Sequence, residues 1–138
     1  QTTQEKQANT SSTSQTLFNL KLLAYERIIL FIERIKPDSF IPRTLSPSLP
    51  YQEYQLLLIN EIRKEFEYNL SQQLYLSENA WEVTVNFKDN IITLINSAAT
   101  SCPPQATASD LARKILEHYI SSDLKGDQIL KIVKAEIQ

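Results

Sequence analysis

Two residues have the chemistry of a nucleophile and its base: Cys102, the only cysteine, and His118, the only histidine. A thiol–imidazole pair works when a third group orients the base and donors await the developing oxyanion. Cys102 is instead followed by Pro103-Pro104, and neither supporting group stands at recognisable spacing. The carboxylates Glu61, Glu65, Glu78 and Glu82 offer a second route, to acid–base work or a metal. Di-metal sites in helical bundles take Glu-x-x-His from two helices, and one histidine, directly after Glu117, does not supply that pattern. The acids read as solvated helix faces and His118 as a surface side chain. The expectation is a protein that is not an enzyme, with no catalytic residues, no metal ligands and no cofactor.

Counts of rare residues close off further classes. One cysteine excludes an internal disulfide and any multi-cysteine zinc site. The single glycine, Gly126, excludes the glycine-rich loops that cradle phosphates. The net charge of −2 gives no global field for nucleic acid, and none is expected as a partner.

Two clusters remain as candidates for binding. Asn69, Gln72, Gln73 and Tyr75 are uncharged hydrogen-bonding side chains near the end of a long amphipathic segment, with Trp81 just beyond. They suit a polar network between helices, a small pocket, or plain exposure to water. The other cluster lies along the first helix and the residue that follows it, where Lys21, Arg27, Arg34 and Lys36 outnumber Glu26 and Glu33 by two.

The elements that must position these residues follow from periodicity. Residues 1–16 hold one apolar side chain, Ala8, among glutamines, threonines and serines, and read as a polar tether whose inner part joins the first helix. Residues 17–138 read as one domain. In the first helix, Leu17, Leu20, Ala24, Ile28, Phe31 and Ile35 form one stripe, and Phe18, Leu22, Tyr25, Ile29 and Ile32 a second. Two stripes are more apolar surface than one neighbour covers, so Tyr25, Arg27, Ile29, Ile32 and Arg34 make the expected interaction surface. Lys36-Pro37 ends the helix, and four prolines mark residues 37–50 as a connection. A second helix is expected from Ser48 or Pro50 to about Leu76, with Ile62, Phe66, Leu70 and Leu74 inward.

Ser77 is the expected N-cap of a third helix reaching about Ala99. Trp81, Val83, Val85 and Phe87 also alternate with polar residues, so an α+β variant with a hairpin at 81–95 is the competing reading. Thr107-Ala-Ser-Asp110 has the form of a capping box opening a short helix, and Asp127 is expected to cap a last one. The fold class is therefore all-α, a bundle of four to five helices with the first three long and antiparallel.

No run of about 18 apolar residues is present to cross a bilayer. The chain also lacks methionine, so a segment is expected to precede Gln1.

The run Leu20–Ile35, with its Leu-x-Ala-Tyr-Glu-Arg and Phe-x-Glu-Arg-Ile elements, resembles the opening helix of an uncharacterised family of small Bacteroidota proteins. The run Glu65–Trp81, with Asn-Leu-Ser-Gln-Gln-Leu-Tyr inside it, is similar to that family's second block, where histidine often stands at the place of Tyr68. The resemblance implies a membrane span ahead of the polar segment, which becomes a juxtamembrane tether, and a site on the cytoplasmic side of the inner membrane. It favours helix over hairpin at Trp81 and implies no activity. The expected function is a non-catalytic, membrane-tethered helical domain that binds a protein partner or itself, as a scaffold or accessory subunit. A small-ligand sensor with its pocket near Asn69, Gln73, Tyr75 and Trp81 is the alternative.

Overall fold

A computed structural model describes residues 3–123 and 125–137, with side chains described from residue 11 onward. Six α-helices follow in order: α1 (Thr3–Ile35), α2 (Pro37–Thr44), α3 (Tyr51–Tyr68), α4 (Glu78–Thr100), α5 (Ala108–Ser121) and α6 (Gly126–Ala135). A short 3-10 helix, Leu70–Tyr75, lies between α3 and α4. No strand occurs among the described residues, so the hairpin reading of 81–95 falls and the all-α bundle stands.

The hairpin fails for a reason visible at both faces of α4. Ala80, Thr84, Phe87, Ile91, Leu94, Ile95 and Ala98 recur at three and four residues and are all buried. The alternation from Trp81 to Phe87 is a short accident inside that longer period. Ser77 caps the helix as expected, its Oγ accepting the Ala80 N–H at 3.0 Å. Thr107 and Asp110 likewise close a reciprocal capping box at the start of α5.

Three boundaries differ from expectation. The polar segment does not stay coil where it is described: α1 runs back to Thr3, and residues 11–20 are exposed along it. Gln1 and Thr2 lie outside the described residues. The proline-rich connection contains a helix of its own. Pro37 supplies a preset φ at its first turn, and Pro37, Phe40 and Ile41, at spacings of three and one, are buried on one face.

The expected second helix stops at Tyr68 instead of Leu76. The Asn69 side chain donates to the Glu65 carbonyl at 2.8 Å, occupying the acceptor that its own backbone N–H would use. That N–H turns to the Phe66 carbonyl at 2.9 Å, and the chain tightens into the 3-10 turn. Leu70 and Leu74, expected inward, are consequently exposed.

The core forms where α1 meets α2, α3, α4, α6 and the 3-10 helix, while α5 covers α3 and α4 from the other side. α3 and α4 run antiparallel: Phe66 stacks on Trp81 with centroids 5.4 Å apart, and Gln55 donates to Asn96 at 2.9 Å. The starts of α3 and α5 are clamped together, with Tyr51 N–H on the Ala106 carbonyl and Ala108 N–H on the Leu49 carbonyl at 3.1 and 2.7 Å.

Gly126 does not serve as a turn residue, since no residue among those described has a positive φ. It opens α6 against the half-way point of the Lys36 side chain, and its N–H donates to the Tyr119 hydroxyl at 2.8 Å. Lys36 is nearly buried, and its ammonium contacts Asp127 at 3.0 Å and Glu33 at 3.4 Å. Asp127 thus binds Lys36, and α6 starts two residues earlier than expected, with Lys125 at the N-cap position. Burial opposes the charge on Lys36, and its hydrogen bonds and proximity to Asp127 and Glu33 outweigh that, leaving its pKa raised.

A β-carbon at position 126 would overlap Lys36 Cδ and Cγ and stand 3.1 Å from the Tyr119 hydroxyl. Alanine would gain about 0.5–1 kcal/mol in helix propensity, less than the ~1–3 kcal/mol that overpacking costs. Gly126→Ala is therefore expected to lower the urea unfolding free energy by about 1 kcal/mol. Equal or higher stability would show that the lysine stem yields freely.

Candidate functional site

Helix α1 is covered on one side only. Ala24, Tyr25, Ile28, Phe31, Ile32 and Ile35 are buried in the core. Tyr25 and Ile32 are thus removed from the expected interaction surface, because the 3-10 helix, α4 and α6 occupy the second stripe from within the same chain. The Tyr25 hydroxyl, for example, accepts the Ser77 N–H at 3.1 Å. Ile29 is half-buried against that core. Of the five residues expected at the surface, Arg27 is exposed and Arg34 partly so.

The apolar surface that stays open lies on a different part of α1. Leu17, Phe18, Leu20, Leu23 and Leu30 are exposed, Leu23 and Leu30 by more than half. Leu20, Leu23, Arg27, Leu30 and Arg34 advance in steps of three and four and so form one stripe along the helix. The open stripe, which mixes leucines with Arg27 and Arg34, is neither of the two apolar stripes read from the sequence, and both of those supply residues to the core.

The stripe runs into a groove of about 440 Å³ between the ends of α1 and α3, lined by Arg27, Leu30, Phe31, Arg34, Glu65, Tyr68 and Asn69. Phe31 and Tyr68 are the aromatic side chains of this lining. Phe31 sits 5.9 Å from Phe66, and Lys88 places its ammonium 4.1 Å from the centre of that Phe66 ring. The charge of the groove is set by one carboxylate shared between two arginines. Arg34 donates to Glu65 Oε1 through Nε at 3.0 Å and through a terminal nitrogen at 2.7 Å. Arg43 approaches the same oxygen at 3.8 Å while donating to the Arg34 carbonyl at 2.9 Å. The Glu65 hydrogen bond, with the charges of Glu65 and Glu61, holds the Arg34 guanidinium above its ordinary pKa despite partial burial. Arg27 has no ion-pair partner among the described residues. Tyr68, at 75% exposure, stands at the rim.

The expected polar cluster does not assemble. The Asn69 side chain bonds the Glu65 carbonyl and lines the groove above, and the Gln72 side chain donates to the neighbouring Ser71 hydroxyl at 3.4 Å. Gln73 and Trp81 share a separate open cleft of about 380 Å³ with Leu76, Ser77, Glu78 and Glu82. Tyr75 lines neither cleft and is half-buried. The break in helix at Asn69 separates these side chains, which an unbroken helix to Leu76 would have kept on neighbouring turns.

The residues with nucleophile and ligand chemistry are also dispersed. Cys102 points its sulfur at the Ala98 carbonyl, 3.8 Å away, and burial pushes its thiol pKa up, away from the reactive thiolate. Among the described residues no three His, Cys, Asp or Glu side chains gather where they could hold a metal ion. Glu65, one of the four acids considered for a carboxylate site, serves the two arginines instead.

Glu65→Ala is expected to lower stability by about 1 kcal/mol at low salt, since Glu65 is well covered but Arg34 remains reachable by water. The deficit should shrink in 1 M salt. Urea unfolding at both salt concentrations measures it, and wild-type stability at low salt would show that the carboxylate does not tie α1 to α3.

The profile of a protein family of unknown function, DUF7935, matches residues 1–138, and the chain belongs to that family. No curated protein and no solved structure matches the chain significantly.

Proposed function

We propose that this member of the family is a non-catalytic, protein-binding helical domain, a scaffold or accessory subunit in a membrane-associated assembly. The observation that carries the proposal is the outward face of α1, where Leu20, Leu23 and Leu30 stay in water while the opposite face builds the core, and Leu17 and Phe18 are exposed where α1 projects. Exposed apolar residues scattered singly are ordinary on a protein surface. A run of them on one helix, continuous through Arg27 and Leu30 with a groove, is the pattern of an interface.

The same helix bears on the membrane part of the proposal. Residues 11–20 are exposed on every side, so α1 reaches beyond its own domain as a projecting helix. An isolated helical segment of this kind is marginal in water, and a partner packed beside it would stabilise it. No helix among the described residues is long and apolar enough to cross a membrane. Tethering at the cytoplasmic side of the inner membrane rests on the likeness to single-span Bacteroidota proteins. The small-ligand alternative is less well supported, because both clefts are open to solvent and most apolar ligand sites bury their ligand deeply.

A photo-crosslinking residue placed at Leu23 tests this directly. Illumination of cells making the full chain is expected to join position 23 to another polypeptide, with no equivalent adduct from the exposed Leu56 on α3. Absence of any adduct at Leu23, or equal adducts at both positions, would overturn the proposal.

A further inference from the structure

From the charge on this face we infer that its occupant is an acidic amphipathic helix of a partner protein, laid along the stripe Leu20–Arg34 with a carboxylate on Arg27. The inference rests on the proposed function and names the chemistry of its partner. The stripe alternates apolar and cationic positions, Leu20, Leu23, Arg27, Leu30, Arg34, and contains no acid; Glu26 and Glu33 fall outside it. It spans about 21 Å at 1.5 Å per residue, the length of a four-turn helix. Apolar positions at three- and four-residue spacing are what a docked helix reads with its own apolar stripe.

The two cations on the stripe differ in what they can still bind. Glu65 already engages Arg34 through two nitrogens, so Arg34 is largely neutralised and fixed in place. Arg27 has no ion-pair partner among the described residues and opens onto the groove beside Leu30 and Tyr68. A partner carboxylate at that point would complete a charge pair beside apolar contacts, where screening by water is reduced.

The same features disfavour two other occupants. A second copy of the chain would bring a stripe whose only charges are again Arg27 and Arg34, so cations would face cations. An anionic bilayer would meet one unpaired arginine and a concave groove that already holds Glu65, on a chain whose net charge is −2. That is too little positive charge to hold a flat anionic surface.

The test uses the 138-residue chain and two fluorescent helical peptides of about four turns, read by anisotropy. Both carry leucines at three- and four-residue spacing; one flanks them with glutamates, the other with lysines at the same places. The acidic peptide is expected to bind at least tenfold more tightly than the basic one. Arg27→Glu is expected to reverse that preference, Arg27→Gln to abolish it, and Leu56→Asp to change nothing. Because Arg27 is exposed, these variants keep the fold, which circular dichroism verifies. Equal affinity for the two peptides, no binding of the acidic peptide, or an unchanged preference in Arg27→Glu would overturn the inference. So would Leu23-dependent dimerisation by light scattering, or Arg27-dependent capture by phosphatidylglycerol vesicles in place of the peptide. A Leu23 crosslink to another protein, combined with no acidic-peptide preference, would remove this inference and leave the protein-binding function standing.

Discussion

Every helix except α5 packs directly against the buried face of α1. Ala24, Ile28, Phe31 and Ile35, joined by Tyr25 and Ile32, present about a third of the helix circumference to the rest of the chain, and α2, α3, α4, α6 and the 3-10 turn all reach it. Burial of large side chains at this density is the dominant stabilising term available to a domain with no disulfide. The constraint has a direct consequence for function. A helix that gives one face to the core over its second half, and projects freely over its first, must leave apolar positions in water unless something outside the domain covers them.

Polar contacts then fix the angles at which the packed helices meet. Lys36 ties the α1–α2 junction to the first turn of α6 through Asp127, and the absence of a side chain at Gly126 is what lets the lysine stem pass. Glu65 ties the end of α1 to the end of α3 and reaches Arg43 just before the loop into α3. Among the described residues, every buried side-chain nitrogen or oxygen has a hydrogen-bond partner, Thr84 included, which donates to the Ala80 carbonyl at 2.7 Å. A satisfied interior of this kind specifies one arrangement of the helices, and with it one exposed face of α1.

Helix identity was legible in the sequence because it depends on local period and caps. Ser77 and Thr107 behave as their types dictate, and the 23 residues of α4 override a seven-residue alternation. Two local features were missed although their signals were present. Pro37, Phe40 and Ile41 carry helical spacing inside a segment that proline count marks as a loop, and Asn69 can take the carbonyl that continues a helix. Which face of α1 stays open was not legible at all. It depends on where the 3-10 turn and α6 come to rest, a property of tertiary packing that no window of sequence contains. The polar cluster of Asn69, Gln72, Gln73, Tyr75 and Trp81 dissolved for the same reason, once the chain changed direction at residue 69.

The central claim is that α1 has two roles, core along Ala24–Ile35 and open interface along the stripe that begins at Leu20. Hydrogen exchange of the isolated chain measures that division residue by residue. The account predicts slow exchange for the amides of 24–35 and rapid exchange for 11–20 in the isolated chain. Slow exchange across 11–20 in the isolated chain at high dilution would contradict it, since the outward part of α1 would then be held without any partner.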